Sequence, residues 1–546
     1  MKKIIPLILV LILFCTTALA KGLNLKYLNP NLYPVTEGAE LTVFRGQDGN
    51  NLDYAINPEN DALEKLTGVK INWVTAPGTP DDWKIAFNMS IASGNYPDIY
   101  LNDFTTADVM SYANDVFIPL NDYIEDTYWI KRYMEEMPKI RETITAPDGN
   151  IYCLWGSLPN LPERSDYSYP YKLWIFIPWL ESSGLEMPET IDEYREFLRY
   201  VRDHDMNGNG DTTDELPMFG SYAFDHDGSD PTYGIMQSFV ITPQNFLWAD
   251  EDHNVTCVAI TDEFRNGLIY LNSLFEEGLI PEDIYALTLN EFRDVVNVTN
   301  VDDTLVASAG APEWWRLGNA GIIGSRMYDD YAPMPVLKKD KDSPAQTLER
   351  LSSVSLKGAV TVNCKDPALA VAWLDACMDP ELALISSNGN EGDFWIRMSV
   401  EGELPIVAKT IEGTDLKEGG AVNTHTFGGN IFPRPPAGTF IDSYLEPGSI
   451  AEKAANIIRG ANRKYMAVSQ RTSFPPVVWN DNLDLITEHA ELAGIIRNNI
   501  RNAYAEFILG RRDIKDDAVW EAYKENLESL GLSRYIEITS FINFGK

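Results

Sequence analysis

Cysteine and histidine are scarce in this chain, with five of each in 546 residues. Past the N-terminal segment only Cys153, Cys257, Cys364 and Cys377 remain, which excludes a disulfide framework at this length. Cys377 falls on the apolar face of a helical pattern with Ala370, Trp373 and Leu374. A buried thiol is therefore expected there, with a Cys364–Cys377 bridge as the minor reading. His204, His226, His253, His425 and His489 are scattered without metal-ligand spacing. Cations are few as well: 44 Lys and Arg face 81 Asp and Glu, a formal net charge of −37. That balance excludes a nucleic-acid partner, because phosphate binding needs clustered Lys and Arg. It says less about a sugar ligand, since a local basic pocket can sit in an acidic field. Catalytic signatures are missing too: there is no G-x-S-x-G, no H-E-x-x-H and no phosphate-cradling glycine loop. Carboxylate pairs of the glycosidase kind are guaranteed by composition and indicate nothing alone.

Long apolar runs are absent beyond the first residues, none approaching the roughly 18 that suggest a membrane span. The N-terminus itself reads as a signal peptide over residues 1–20. Lys2 and Lys3 precede the apolar stretch Ile4 to Phe14, and Thr17-Ala18-Leu19-Ala20 supplies small residues at the cleavage site. Cys15 invites a lipoprotein reading, but bulky Phe14 stands where lipid-anchor processing wants a small residue. Cleavage after Ala20 and a periplasmic or extracellular location are expected, with residues 21–39 as a linker.

At this length two or more domains are expected, and the 45% hydrophobic content is ordinary for a folded protein. Leu41-Thr42-Val43-Phe44 and Val69 to Val74 read as strands, Trp83 to Ala92 as a helix stopped by Gly94, and Tyr96 to Tyr100 as the next strand. Strand and helix alternating in this way predict βα units and a mainly parallel sheet. Thr190-Ile191-Asp192-Glu193 is a capping box opening a helix with Tyr194, Phe197, Leu198 and Val201 on one face. Phe264, Leu268, Leu271 and Phe275 mark a second helix, and Asp366-Pro367 opens a third. Beyond Thr487 the chain looks largely helical, with the stripe Ile496, Ile500, Tyr504, Phe507 stopping at Gly510.

The sharpest local signal is the run Asp205-Met206-Asn207-Gly208-Asn209-Gly210-Asp211-Thr212-Thr213-Asp214-Glu215. Oxygen-bearing side chains recur at alternate positions, and Gly210 stands sixth, where calcium loops turn sharply. Four carboxylates within eleven residues repel one another unless a hard cation joins them. A structural Ca2+ held by Asp205, Asn207, Asn209, Asp211, Asp214 and Glu215 is the expectation, against a solvated acidic turn as the plain alternative. The loop departs from the EF-hand, since Leu216 occupies position 12.

Aromatics are plentiful, at 11% with 13 Trp. Sugar rings present apolar C–H faces on which indoles stack. Trp155, Trp314, Trp315 and Trp395 lie in segments that read as loops or strand ends, although a single Trp is more often core than platform. Neighbours on a strand point oppositely, so one of Trp314 and Trp315 should face outward.

Taken in order, several stretches resemble the extracellular solute-binding proteins of carbohydrate ABC importers, in the long calcium-containing branch that includes alginate-oligosaccharide binders. They are SIASGNYPDIY (90–100), FIPLNDYIED (117–126), ITAPDGNIYCLW (144–155) and WLESSGLEMPETIDEYREFL (179–198), then the acidic loop, APMPVLK (332–338), NGNEGDFW (388–395), FILG (507–510) and LESLGLSRYIEI (527–538). The resemblance covers most of the mature chain. It implies a two-lobed α/β fold of the type II periplasmic-binding-protein kind, with a helical C-terminal extension on lobe two. Lobe one would comprise residues 40–150 and 340–430, and lobe two residues 160–335 and 435–546, with hinge crossings near 153–161, 333–337 and 432–436. It further implies a non-enzymatic monomer that binds an oligosaccharide in the interlobe cleft and delivers it to importer membrane subunits. Glu391 and Trp395 match a ligand-side family motif, and calcium would be structural, with the choice among Asp211, Thr213 and Asp214 as ligands left open. The alternative is a secreted glycoside hydrolase using paired carboxylates.

Overall fold

The computed structural model describes residues 35–46, 54, 58–76, 82–156, 169–221, 229–296, 303–311, 330–350, 355–388, 391–392, 395–400, 405–411 and 441–546, apart from 37 and 476. The expected signal peptide, most of the linker, the Trp314-Trp315 pair and the crossing near 432–436 lie outside the described residues. Contacts divide the chain into two compact units. The first comprises Met1–Asn160, Ser353–Leu445 and Trp479–Leu483, and the second Leu161–Ser352, Glu446–Val478 and Asp484–Lys546.

Along the chain the first leg supplies β1 (Ala39–Gly46), α1 (Pro58–Thr67), β2 (Val69–Ala76), α2 (Asp82–Ser93), β3 (Ile99–Phe104), α3 (Trp129–Glu136) and β4 (Cys153–Trp155). The second unit then contributes β5 (Leu173–Phe176), α4 (Ile191–Arg202), α5 (Asp262–Glu276), β6 (Ser308–Gly310) and β7 (Tyr331–Pro333). The chain returns to the first unit with β8 (Leu356–Val360), α6 (Pro367–Cys377), α7 (Pro380–Asn388), β9 (Trp395–Arg397), β10 (Ile406–Thr410) and β11 (Ile441–Ser443). Long α8 (Leu483–Ile508), then α9 (Asp517–Ser529) and α10 (Leu532–Phe544), complete it.

The first unit is built on a five-stranded sheet of order β2-β1-β3-β8-β4. β1 runs parallel to β2 and β3, whereas β8 is antiparallel to both β3 and β4. Val43, Ile99, Tyr100 and Leu101 have no exposed surface, as expected for strands covered on both faces. Parallel strands need crossovers, and α1 and α2 provide them, matching the alternation read in the sequence. Asp375 on α6 supplies a cap for α3 from a distant part of the chain, accepting the N–H of Tyr128 at 3.0 Å and of Ile130 at 2.7 Å.

The second unit centres on a three-stranded sheet of order β6-β5-β7, antiparallel throughout. The expected parallel character therefore belongs to the first unit, and the architecture is mixed. Thr190 and Glu193 close the capping box on α4 with bonds of 3.2 and 3.1 Å. The face it leads, Tyr194, Phe197, Leu198 and Val201, is buried together with Phe264, Leu268 and Leu271 of α5. Ile496, Ile500, Tyr504 and Phe507 of α8 join that core, and Gly510 turns the chain away at φ +67°. All four cysteines in the described residues are buried and unpaired, so no Cys364–Cys377 bridge forms.

Candidate functional site

The acidic loop follows α4 and ends where Leu216 forms an isolated bridge with Val306. Its side-chain oxygens turn inward onto the loop's own N–H groups. Asp205 Oδ1 accepts from Gly208 N at 2.7 Å and Asn209 N at 3.1 Å, while Oδ2 accepts from Gly210 N at 2.8 Å. Asn207 Oδ1 accepts from Asn209 N at 3.0 Å, and Asn209 Oδ1 from Asp211 N at 2.7 Å. Asp211 Oδ1 takes both the N–H and the hydroxyl of Thr213, which holds its carboxyl below the usual range. Gly208 and Gly210 adopt φ of +77° and +92°, the left-handed region that favours glycine and lets the loop coil.

Two oxygens stand apart. Asp214 Oδ1 and Glu215 Oε2 are buried and meet no hydrogen-bond donor among the described residues. Burial pushes the Glu215 carboxyl up, although Met206 N donates to Oε1 at 2.7 Å. A buried carboxylate oxygen without a donor is costly, and a hard cation is the group that satisfies it. The donor set is all oxygen, from Asp, Asn and Glu, as calcium prefers. Among the described residues no three His, Cys, Asp or Glu side chains are already gathered to enclose an ion. Two of the expected ligands are Asn, and Asp205 and Asp211 are occupied by loop N–H and hydroxyl donors. The residues therefore fit the cation in chemistry and in orphaned oxygens, while ion binding would have to displace internal hydrogen bonds. Sequence reading missed Thr304, whose carbonyl accepts from Asn207 Nδ2 at 3.4 Å across 97 positions; no local pattern signals it.

The expected sugar contacts are dispersed. Trp155 ends β4 with no exposed surface, its ring meeting Tyr133 edge-on at 6.1 Å. Trp395 opens β9, also without exposed surface, in a small cluster with Leu384, Ile406 and Ala408. Neither indole offers an open face for stacking as described. Glu391 is half-buried beside β9, its Oε1 accepting from Arg397 N at 3.2 Å. Its Oε2 is buried without a hydrogen-bond partner among the described residues. Arg397 also pairs with Glu381 at 3.2 Å, both side chains 3% exposed. Burial pushes the Glu381 acid up to about 8, with Arg397 opposing and Asp379 and Glu391 adding to the rise.

The fold described is that of the substrate-binding proteins of ABC transporters. A structure of an HMO-binding, ABC-transporter-associated solute-binding protein from Bifidobacterium longum infantis superposes with a TM-score of 0.75 at 19% identity, over 92% of this chain and 98% of the other. An alginate-binding protein, AlgQ2, solved without calcium ion, gives 0.64 at 18% identity over 93% and 98%. In sequence, the chain is 27% identical over 499 residues to the fructooligosaccharide ABC transporter substrate-binding protein FusA of Streptococcus pneumoniae serotype 4, covering 87% of this chain and 84% of FusA. An EF-hand mutant of FusA with fructo-nystose gives a TM-score of 0.73 over 92% and 98% of the two chains. No family model matches the chain. FusA is a fructooligosaccharide-binding component of an ABC transporter and the Bifidobacterium protein is associated with one, so the resemblance read from the ordered motifs is to the same kind of protein.

Proposed function

We propose that the chain is the extracytoplasmic substrate-binding component of an ABC importer, capturing an oligosaccharide and delivering it to the membrane subunits. The observation that carries this reading is the similarity to FusA, which runs through nearly the whole of both chains. Export by the segment 1–20 fits the role, and no helix among the described residues is long and apolar enough to cross a membrane. Function as a monomer without turnover completes the reading.

Glu391, Trp155, Trp395 and at least one of Trp314 and Trp315 are the proposed sugar contacts. Glu391 offers an acceptor, since its Oε2 has no donor among the described residues, and a sugar hydroxyl would supply one once that buried oxygen is uncovered. A stacking role for Trp155 or Trp395 requires that one indole face be uncovered. Calcium at Asp205–Glu215 is proposed as a structural ion, with Asp214 and Glu215 the ligands most in need of it.

Calorimetric titration of the mature protein against fructo-, gluco-, galacto- and manno-oligosaccharides and an oligogalacturonide tests the function. Saturable binding of a member of the panel without release of smaller sugars is expected. Product formation, or no binding to any of them, would overturn it.

A further inference from the structure

The small sheet of order β9-β10-β11 turns one face towards α7, where Leu384 clusters with Trp395, Ile406 and Ala408. Successive residues of a strand point oppositely, and β9 follows this rule. Ile396 is exposed, whereas Trp395 and the Arg397 side chain turn inward. One turn before Leu384 stands Glu381, the second residue of α7, and its carboxylate meets the Arg397 guanidinium at 3.2 Å. Both side chains are almost wholly enclosed. Desolvation offsets the Coulomb attraction of such a pair, so stability alone is a weak reason for it.

A second carboxylate is tied to the same strand. Glu391 forms an isolated bridge with Trp395, Gly392 N donates to Trp395 O at 2.7 Å, and Arg397 N donates to Glu391 Oε1 at 3.2 Å. Arg397 thus holds Glu391 through its backbone and Glu381 through its side chain. Asp379, just before α7, accepts from Glu381 N at 2.9 Å and, through its other oxygen, from Trp129 Nε1 at 3.0 Å. The other elements packed on α7 or paired with β9 turn their charges elsewhere. On α1, Glu64 accepts from Ile71 N at 2.9 Å and Lys65 is exposed. On α6, Asp375 accepts N–H groups at the start of α3, and Lys409 of β10 lies opposite exposed Ile396 and reaches over Tyr444. Glu381 therefore faces Arg397, Asp379 and Glu391. Burial raises its acid to about 8, Arg397 opposes the rise, and Asp379 and Glu391 add to it.

We infer that Glu381 is a positioning residue for the sugar, acting on the acceptor Glu391 through Arg397, so that sugar capture releases the proton of Glu381. This rests on the reading of Glu391 as a sugar contact. Glu391 Oε2 is buried with no donor among the described residues. A sugar hydroxyl donated to it, once it is uncovered, draws part of the Glu391 charge onto the ligand. The repulsion felt by Glu381 weakens, and more of the Arg397 field falls to Glu381. Both effects favour the charged form of Glu381, and its proton passes to solvent. Linkage is reciprocal: if the sugar displaces the proton, loss of the proton strengthens the sugar. Affinity is therefore lowest where Glu381 is protonated with and without sugar, and it rises as pH climbs through about 8.

The test is calorimetry of the mature protein with the same sugar panel, run at about pH 8 in phosphate and in Tris, whose ionisation enthalpies differ. For a sugar that binds, the heats should differ between the two buffers in the sense of proton release. Affinity should rise about fivefold between about pH 6 and about pH 9. Glu381→Gln keeps the volume and fixes the neutral state, so it should bind with neither the release nor the rise. Glu391→Gln should bind more weakly and also lose the release, and it carries the assignment where Glu381→Gln does not fold. Binding by wild type with equal heats in both buffers would overturn the inference and leave the binding function standing. Release that persists in folded Glu381→Gln, or in Glu391→Gln, would overturn it as well. Failure of every sugar to bind wild type would remove the function itself, and the inference with it.

Discussion

The side-chain amide of Asn209 donates to Asp214 Oδ2 at 2.6 Å, so one edge of that carboxylate is satisfied within the loop while its Oδ1 is buried without a donor among the described residues. A cation bound only by the folded state stabilises it by mass action, by about 2.7 kcal/mol at a hundredfold excess over Kd. Calcium is therefore expected to raise the melting temperature. Asp205→Ala combined with Glu215→Ala should abolish that rise while leaving most of the sugar affinity. An unchanged melting curve after chelation of calcium-loaded protein would remove the metal proposal.

Glu391 and Trp395 are close neighbours in sequence but should respond differently to substitution. Glu391→Gln keeps volume and weakens an acceptor, and a loss of about tenfold in sugar affinity at constant melting temperature is expected. Trp395→Ala empties a fully enclosed position and should cost about 3–5 kcal/mol of stability. Trp395→Phe preserves most packing. Wild-type affinity in that folded variant would confine Trp395 to the core.

Much of the first unit was legible because its signals are local. The strands around Val43 and Val69, the crossover helix after Asp82 and the Gly94 stop all follow from short-range pattern and punctuation. The capping box at Thr190 and the α8 stripe were equally plain. What stayed hidden depends on long-range register. Nothing near Lys357 in sequence shows that it will face Asp103 across a strand pair, or that Asp375 will cap α3 from 245 residues away. Trp155 reads as lying at a loop or strand end, which it does, but its full burial there was not legible. It is the last residue of a strand buried beside β8, and the alternation that would have shown this is too short in a three-residue element.

Ligand-driven closure, the mechanism the resemblance implies, requires that the sugar bind one conformation better than another. Solution scattering should then show a smaller radius of gyration with a sugar that binds, and no change with one that does not. Tight binding at constant dimensions would retain the binding role and discard closure.

Acid should weaken the second unit through Glu277, at the C-terminal cap of α5. Arg199 on α4 grips it with bonds of 2.6 and 2.9 Å, and Arg195, one turn earlier, reaches the same carboxylate. Arg199 first, then Arg195, hold the Glu277 acid down to about 2, against an ordinary value of 4.5. The folded pKa is depressed, so the unfolded chain binds more protons between the two values. The stabilisation is complete above about 4.5 and is lost as pH falls towards about 2. Because Arg199 is 48% exposed, solvent screens the pair, and a contribution of about 1–2 kcal/mol at neutral pH is expected. Urea titrations of wild type and Glu277→Gln should differ by that amount at pH 7 and converge as the pH is lowered through this window. A difference that stayed constant down to the acid limit would show that Glu277 acts through packing rather than charge.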